Sequence, residues 1–186
     1  MYGHRRNVCK IQWSPEGTQL ASGGDDNLVC IWSNRCSGMP LAKLRQHTAA
    51  VKALAWSPYQ SQLLASGGGT SDASIRFTNT DTICTSEAHP TGSQVCNLVW
   101  SRSSSHLIST QGYSQNLINL WDYPRMTRLA SLSGHTQRVL YSARSPDGQT
   151  LVTGSGDETL QFRKVFPAHA KPQSRRFPDH TSAHLR

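Results

Sequence analysis

Apolar residues along the first 166 positions come in short bursts separated by turn residues. VCKIQW (Val8–Trp13) alternates apolar with polar, and VKALAW (Val51–Trp56) nearly does. That period of two belongs to strands with one covered face. SPEG and SPDG read as turns, QLAS, LLAS and LVT as short strands, and VCIW and LINLW as strands ending on tryptophan. The pattern predicts small antiparallel sheets and an all-β chain.

The bursts repeat. GDDNL at Gly24 returns as GDETL at Gly156, and the interval between them holds three copies of one unit. Trp13, Trp56, Trp100 and Arg144 form a ladder with steps of 43, 44 and 44 residues. Nine residues before each stand His4, His47, Thr91 and His135. Further columns hold Ser22, Ser66, Ser109 and Thr153, then Asp26, Asp72, Gln115 and Asp157, then Trp32, Thr78, Trp121 and Arg163. A sheet-forming unit of this period, with a GH loop and a Trp-ended strand, resembles the WD repeat of β-propellers. The repeat boundaries expected are 1–41, 42–85, 86–130 and 131–166, followed by a tail over 167–186.

In a WD repeat, a carboxylate fixes a histidine ring, which bonds a hydroxyl that also receives an indole N–H. Only the first copy carries all four groups: His4, Ser22, Asp26 and Trp32. The second has Thr78 in place of Trp, the third has Thr91 and Gln115, and the fourth has Arg163. This reads as a polar lock that has decayed. Its His and Asp residues are expected to be structural rather than catalytic.

Four repeats fall short of most closed rings, which have roughly four to eight blades. The first repeat begins at its GH loop and the last ends at LQFRKVF. An open arc of a larger propeller, with an unpaired edge at each end, is therefore expected.

Charge and cysteines add little chemistry. The formal net charge is +8, but the basic residues are scattered, and the aromatic–arginine array of a nucleic-acid module is lacking. Cys9, Cys30, Cys36, Cys84 and Cys96 form no CxxC pair and are odd in number, so buried free thiols are expected rather than disulfides or zinc ligands. The sequence points to no membrane span, no metal and no cofactor. GGGTSD (67–72) lacks the GK[ST] ending of a phosphate loop, and G-x-S-x-G is absent, so an enzyme is not expected. The tail PAHAKPQSRRFPDHTSAHLR is polar and basic and reads as disordered. Its His180 and His184 have no helix signal to make them a metal site.

GGGTSD, GSQVCNLVWS, GYSQNLINLWDYP, GHTQRVLYSARSPDG and GDETLQF, in this order, closely resemble the Fizzy and Fizzy-related activators of the anaphase-promoting complex, a cell-cycle ubiquitin ligase. The likeness covers residues 3–166, and TGSQVCNL (91–98) leans toward the Fizzy-related branch. It implies about four blades of a seven-bladed parent. It also implies a non-enzymatic adaptor in nucleus and cytoplasm, whose partners are ligase subunits and degron-bearing cell-cycle proteins, with no nucleic acid or membrane. The family's N-terminal ligase-docking segment would lie upstream of residue 1.

Matching motif by motif, the resemblance assigns Asp25, Asn27, Thr70, Gln94 and Arg138 to a Lys-Glu-Asn degron site. It assigns Glu158 to a destruction-box contact, and Leu185 and Arg186 to a ligase-docking tail similar to the family's Ile-Arg. Asp25 departs from the family's Asn. Antiparallel geometry independently brings these loops to one end. Asn27 and Thr70 lie in turns after second strands, and Gln94 and Arg138 lie just before first strands. Amides suit the degron's Asn, and an arginine suits its Glu. Two other readings stand beside this one: a truncated, non-functional relic of such an activator, and a generic WD-repeat scaffold.

Overall fold

The computed structural model describes residues 2–35 and 38–166. The first sheet contains β1 (Val8–Trp13), β2 (Gln19–Gly24), β3 (Val29–Ser33) and β4 (Ala42–Leu44). In the second, β5 (Val51–Trp56), β6 (Leu63–Gly68), β7 (Ser74–Asn79) and β8 (Cys84–Thr85) follow in order, and β9 (His89–Pro90) also pairs with β7. The third comprises β10 (Val95–Trp100), β11 (His106–Gln111), β12 (Ile118–Asp122) and β13 (Thr127–Leu132). The fourth has β14 (Val139–Arg144), β15 (Thr150–Ser155) and β16 (Leu160–Lys164). All neighbours are antiparallel, and β1, β5, β10 and β14 pack side by side, so the sheets fan out as four propeller blades.

Hydrophobic cores lie between blades. Ala21, Val29 and Ile31 of the first meet Val51, Leu54 and Trp56 of the second. Ile75 and Phe77 meet Val95, Leu98 and Trp100. Ile108 and Ile118 meet Val139 and Leu151. A blade flanked on both sides is buried on both faces, which is why LLASGG in β6 is buried throughout. The outer blades differ: Leu160 and Phe162 are 69% and 72% exposed, whereas their counterparts Ile75 and Phe77 are buried. Ile11 and Trp13 are likewise exposed, in columns that bury Leu54 and Trp56. Each fully buried side chain of this kind contributes about 1.5–3 kcal/mol, so the internal junctions hold the arc together.

The ladder column stitches blades. Trp56 Nε1 donates to the Gln12 carbonyl and Trp100 Nε1 to that of Ala55, both at 3.1 Å. Arg144 keeps the stitch by donating from Nη1 to the Trp100 carbonyl. The glycines after Ser22 and Ser66 serve the same junctions. A Cβ on Gly67 would sit 2.5 Å from Val95 Cγ1, and one on Gly23 would sit 2.7 Å from the Val51 carbonyl.

In the first sheet Ala42–Leu44 returns to pair with β3. That strand falls in the stretch the sequence period assigns to the second repeat, so sheet and repeat are out of phase. The fourth sheet has three strands among the described residues, leaving β16 at its edge. The tail, with His180, His184, Leu185 and Arg186, lies outside the described residues.

Candidate functional site

Histidine networks tie together the polar columns of three blades. In the first blade, His4 Nδ1 bonds Asp26 Oδ1 and His4 Nε2 meets Ser22 Oγ, both at 2.8 Å. Trp32 Nε1 donates to the same hydroxyl at 2.8 Å. Burial pulls the Asp26 carboxyl upward, but bonds from His4 and the Arg5 amide outweigh it and leave the carboxyl below its ordinary value. The second blade retains His47–Asp72 and His47–Ser66 (2.8 Å), with Thr78 bonded to Thr85 instead of an indole reaching Ser66. The fourth retains His135–Asp157 (3.1 Å) and His135–Thr153 (2.9 Å).

The lock is thus less decayed than the columns imply. In the third blade neither Thr91 nor Gln115 substitutes for the histidine. Gln111 does, donating from Nε2 to Ser109 Oγ at 3.0 Å beside the Trp121 indole at 2.8 Å. Gln111 stands where Gly24 and Gly68 stand, and a Cβ on either glycine would collide with the His–Asp pair or its carboxylate. The blade without histidine has room for a side chain there. Arg163 donates instead to the Ser133 carbonyl and to Gln161.

A second feature repeats in all four blades. Register shifts interrupt the first two strands between Val8 and Lys10, Val51 and Ala53, Val95 and Asn97, and Val139 and Tyr141. Each is a bulge, which re-aims a side chain. The displaced residues are Cys9, Lys52, Cys96 and Leu140, and all four line one cavity of about 300 Å³. Lys10, Gln94, Asn97, Arg138 and Tyr141 complete its wall.

The structure therefore brings Gln94 and Arg138 together and adds Lys52 beside them. Asp25 reaches the cavity through Cys9, whose Sγ donates to Asp25 Oδ1 at 3.0 Å. The Arg138 guanidinium lies over the Tyr113 ring, 5.0 Å from its centroid. Thr70 is exposed in its turn and does not line the cavity. Asn27 does not line it either. Its side-chain amide donates to the Thr48 carbonyl of the next blade at 3.1 Å, as that of Asn116 does to Thr136 at 3.0 Å.

Glu158 is exposed and lies in the same turn position as Asn27, Ala73 and Asn116, all with positive φ. Lys52, Tyr113 and Tyr141 were missed in the sequence. The valine starting each first strand is legible in the sequence, but the bulge that turns the next residue into the cavity appears only in the strand register.

Among the described residues Cys9, Cys30, Cys84 and Cys96 are free thiols. Cys30 and Cys96 are buried as expected, while Cys9 and Cys84 are exposed. Burial raises the Cys96 thiol to about 11 against the opposing fields of Arg138 and Lys52, and burial with the Asp25 bond raises Cys9 to about 11. Both remain protonated donors at neutral pH.

The pattern of the CDC20/Fizzy WD40 domain matches residues 1–162. The chain belongs to the CDC20/Fizzy family. This CDC20/Fizzy chain is 56% identical over 168 residues to Protein FIZZY-RELATED 3 of Arabidopsis thaliana, covering 90% of itself and 35% of that protein. It is 48% identical to the anaphase-promoting complex subunit cdh1 of Dictyostelium discoideum, covering 91% of itself and 26% of the relative. A chain in the crystal structure of the mitotic checkpoint complex superimposes with a TM-score of 0.86 at 46% identity, over 89% of this chain and 51% of that one. The chain thus spans about a third of the length of the Arabidopsis relative.

Proposed function

We propose that the chain is a non-enzymatic substrate-recognition adaptor of the anaphase-promoting complex, working in nucleus and cytoplasm. It would bind Lys-Glu-Asn degrons and hold their bearers beside the ligase. The observation that carries this reading is the bulge-lined cavity, where Gln94, Lys52 and Arg138 meet at one end of the arc. Two cations suit the degron's glutamate, an amide suits its asparagine, and Asp25 offers an anion for its lysine. Asn27 and Thr70 would add to the site from the neighbouring turns. Glu158 would contact a destruction-box arginine, and Leu185 with Arg186 would dock the ligase. Proximity is the mechanism: tethering raises effective concentration without chemistry in this chain.

Calorimetric titration with a Lys-Glu-Asn peptide tests the reading. Binding is expected, with a loss of about 1–3 kcal/mol for Arg138→Ala, the range of a lost charged hydrogen bond. A folded wild type that ignores the peptide overturns it.

A further inference from the structure

We propose that the opposite end of the arc binds acidic peptide segments, with Arg102 and Arg144 holding the anionic residues and the cavity beside Tyr59 taking a neighbouring apolar side chain. The degron cavity is built from residues preceding and opening the first strands. This second locus is built from residues that close those strands and from the loops after them.

Arg144 occupies the ladder position that holds tryptophan in the other three blades. The stitch to the preceding blade needs a single N–H. Indole supplies one, whereas guanidinium carries five and a permanent charge. Arg102 crosses the same junction in the other direction. Its Nη1 lies 3.5 Å from the Pro146 carbonyl, and its stem covers the turn at Gly148. Two guanidiniums thus straddle one blade boundary. Burial first, and then the field of Arg102, draw Arg144 below its ordinary value.

The turn's own carboxylate does not relieve this, since Asp147 is held by the Ser145 hydroxyl and the Gln149 amide at 3.0 Å. Stitching the blades does not require that like-charge pair; an anion would relieve it.

Beside the pair, Ser57, Tyr59, Trp100, Ser104 and Tyr123 enclose a cavity of about 250 Å³. Tyr59 lies in the field of Arg144, and the Trp100 carbonyl accepts from Arg144, which places the cavity next to the charges. Small-molecule pockets run to about 300–1,000 Å³, so this one is sized for a single side chain. Aromatic walls beside two arginines match a peptide with one apolar anchor flanked by carboxylates. A nucleic-acid strand would require a longer basic track.

The test is a titration of the full chain with acetylated Glu-Glu-Phe-Glu-Glu, its Gln-Gln-Phe-Gln-Gln counterpart, and a ten-residue oligothymidine. Saturable binding of the acidic peptide is expected. Binding should be weaker by about tenfold or more for the glutamine peptide, and for Arg102→Gln or Arg144→Met. Arg102 is exposed, so its variant keeps the fold, which a melting curve verifies. Equal binding of both peptides, unchanged binding by both variants, no saturation, or tighter binding of the oligothymidine each overturns the proposal. Lys-Glu-Asn peptide binding by Arg102→Gln should match the wild type, so failure of either site is seen separately.

Discussion

Gln111 and Ser109 share a buried hydrogen bond of 3.0 Å that replaces, in the third blade, the histidine–hydroxyl bond of the other three. Gln111 is fully buried, and the indole of Trp121 meets the same hydroxyl. Gln111→Ala should therefore destabilise the chain by about 1–3 kcal/mol, from a lost buried bond and the space left behind. Chemical denaturation measures it; a change within experimental error would show the amide to be a bystander.

The ladder tryptophans predict a contrast between two chemically identical changes. Trp56 is 5% exposed and donates across a junction, whereas Trp13 is 54% exposed. Trp56→Phe should cost about 1–2 kcal/mol by leaving the Gln12 carbonyl without its donor. Trp13→Phe should fall within about 0.5 kcal/mol of wild type. Equal melting shifts would refute the stitch.

Glycines of one column should differ in the same way. Gly67→Ala drives a methyl to 2.5 Å from Val95 Cγ1, and overpacking of this kind costs about 1–3 kcal/mol. At Gly154 the nearest atom is the Leu160 Cδ2 at 3.2 Å, on an exposed side chain free to move. Gly154→Ala should show no loss of stability in the same denaturation experiment.

Glu158 is held at φ 64° on an exposed turn, a conformation that L-residues adopt at a cost of roughly 1–2 kcal/mol. Glu158→Gly should raise the melting temperature. Binding of a destruction-box peptide, if Glu158 contacts it as proposed, should fall in the same variant. A gain in stability with intact binding would leave Glu158 a turn residue only.

Stability should fall with acid in two stages. Burial, against the opposing bond from Asp72, holds the folded His47 below its ordinary 6.5. The unfolded chain then binds the extra proton first, so this contribution is complete above about 6.5 and erodes as pH falls below it. Asp157 is held below 3.8, first by the Thr159 hydroxyl and then by the Thr136 and Thr159 amides and His135, so its contribution is lost only below about pH 4. Urea midpoints from pH 8 to 3 should show both stages, and His47→Gln should flatten the first. An unchanged midpoint between pH 7 and 5 would count against the buried neutral histidine.

The sequence by itself determined the architecture. A fixed period with short alternating strands dictates the sheets, because each unit buries its apolar columns only against the next. The same columns exposed which residues share an end of each blade, since antiparallel strands leave no other choice. The structure alone decided what those residues touch. Gln111 entering the polar lock, Asn27 being spent on Thr48, and four bulges turning Cys9, Lys52, Cys96 and Leu140 into one cavity all arise between strands or blades. A one-residue bulge flips a side chain without altering the period, and a hydrogen bond across a blade junction links residues with no local pattern in common, so neither leaves a mark that spacing can reveal.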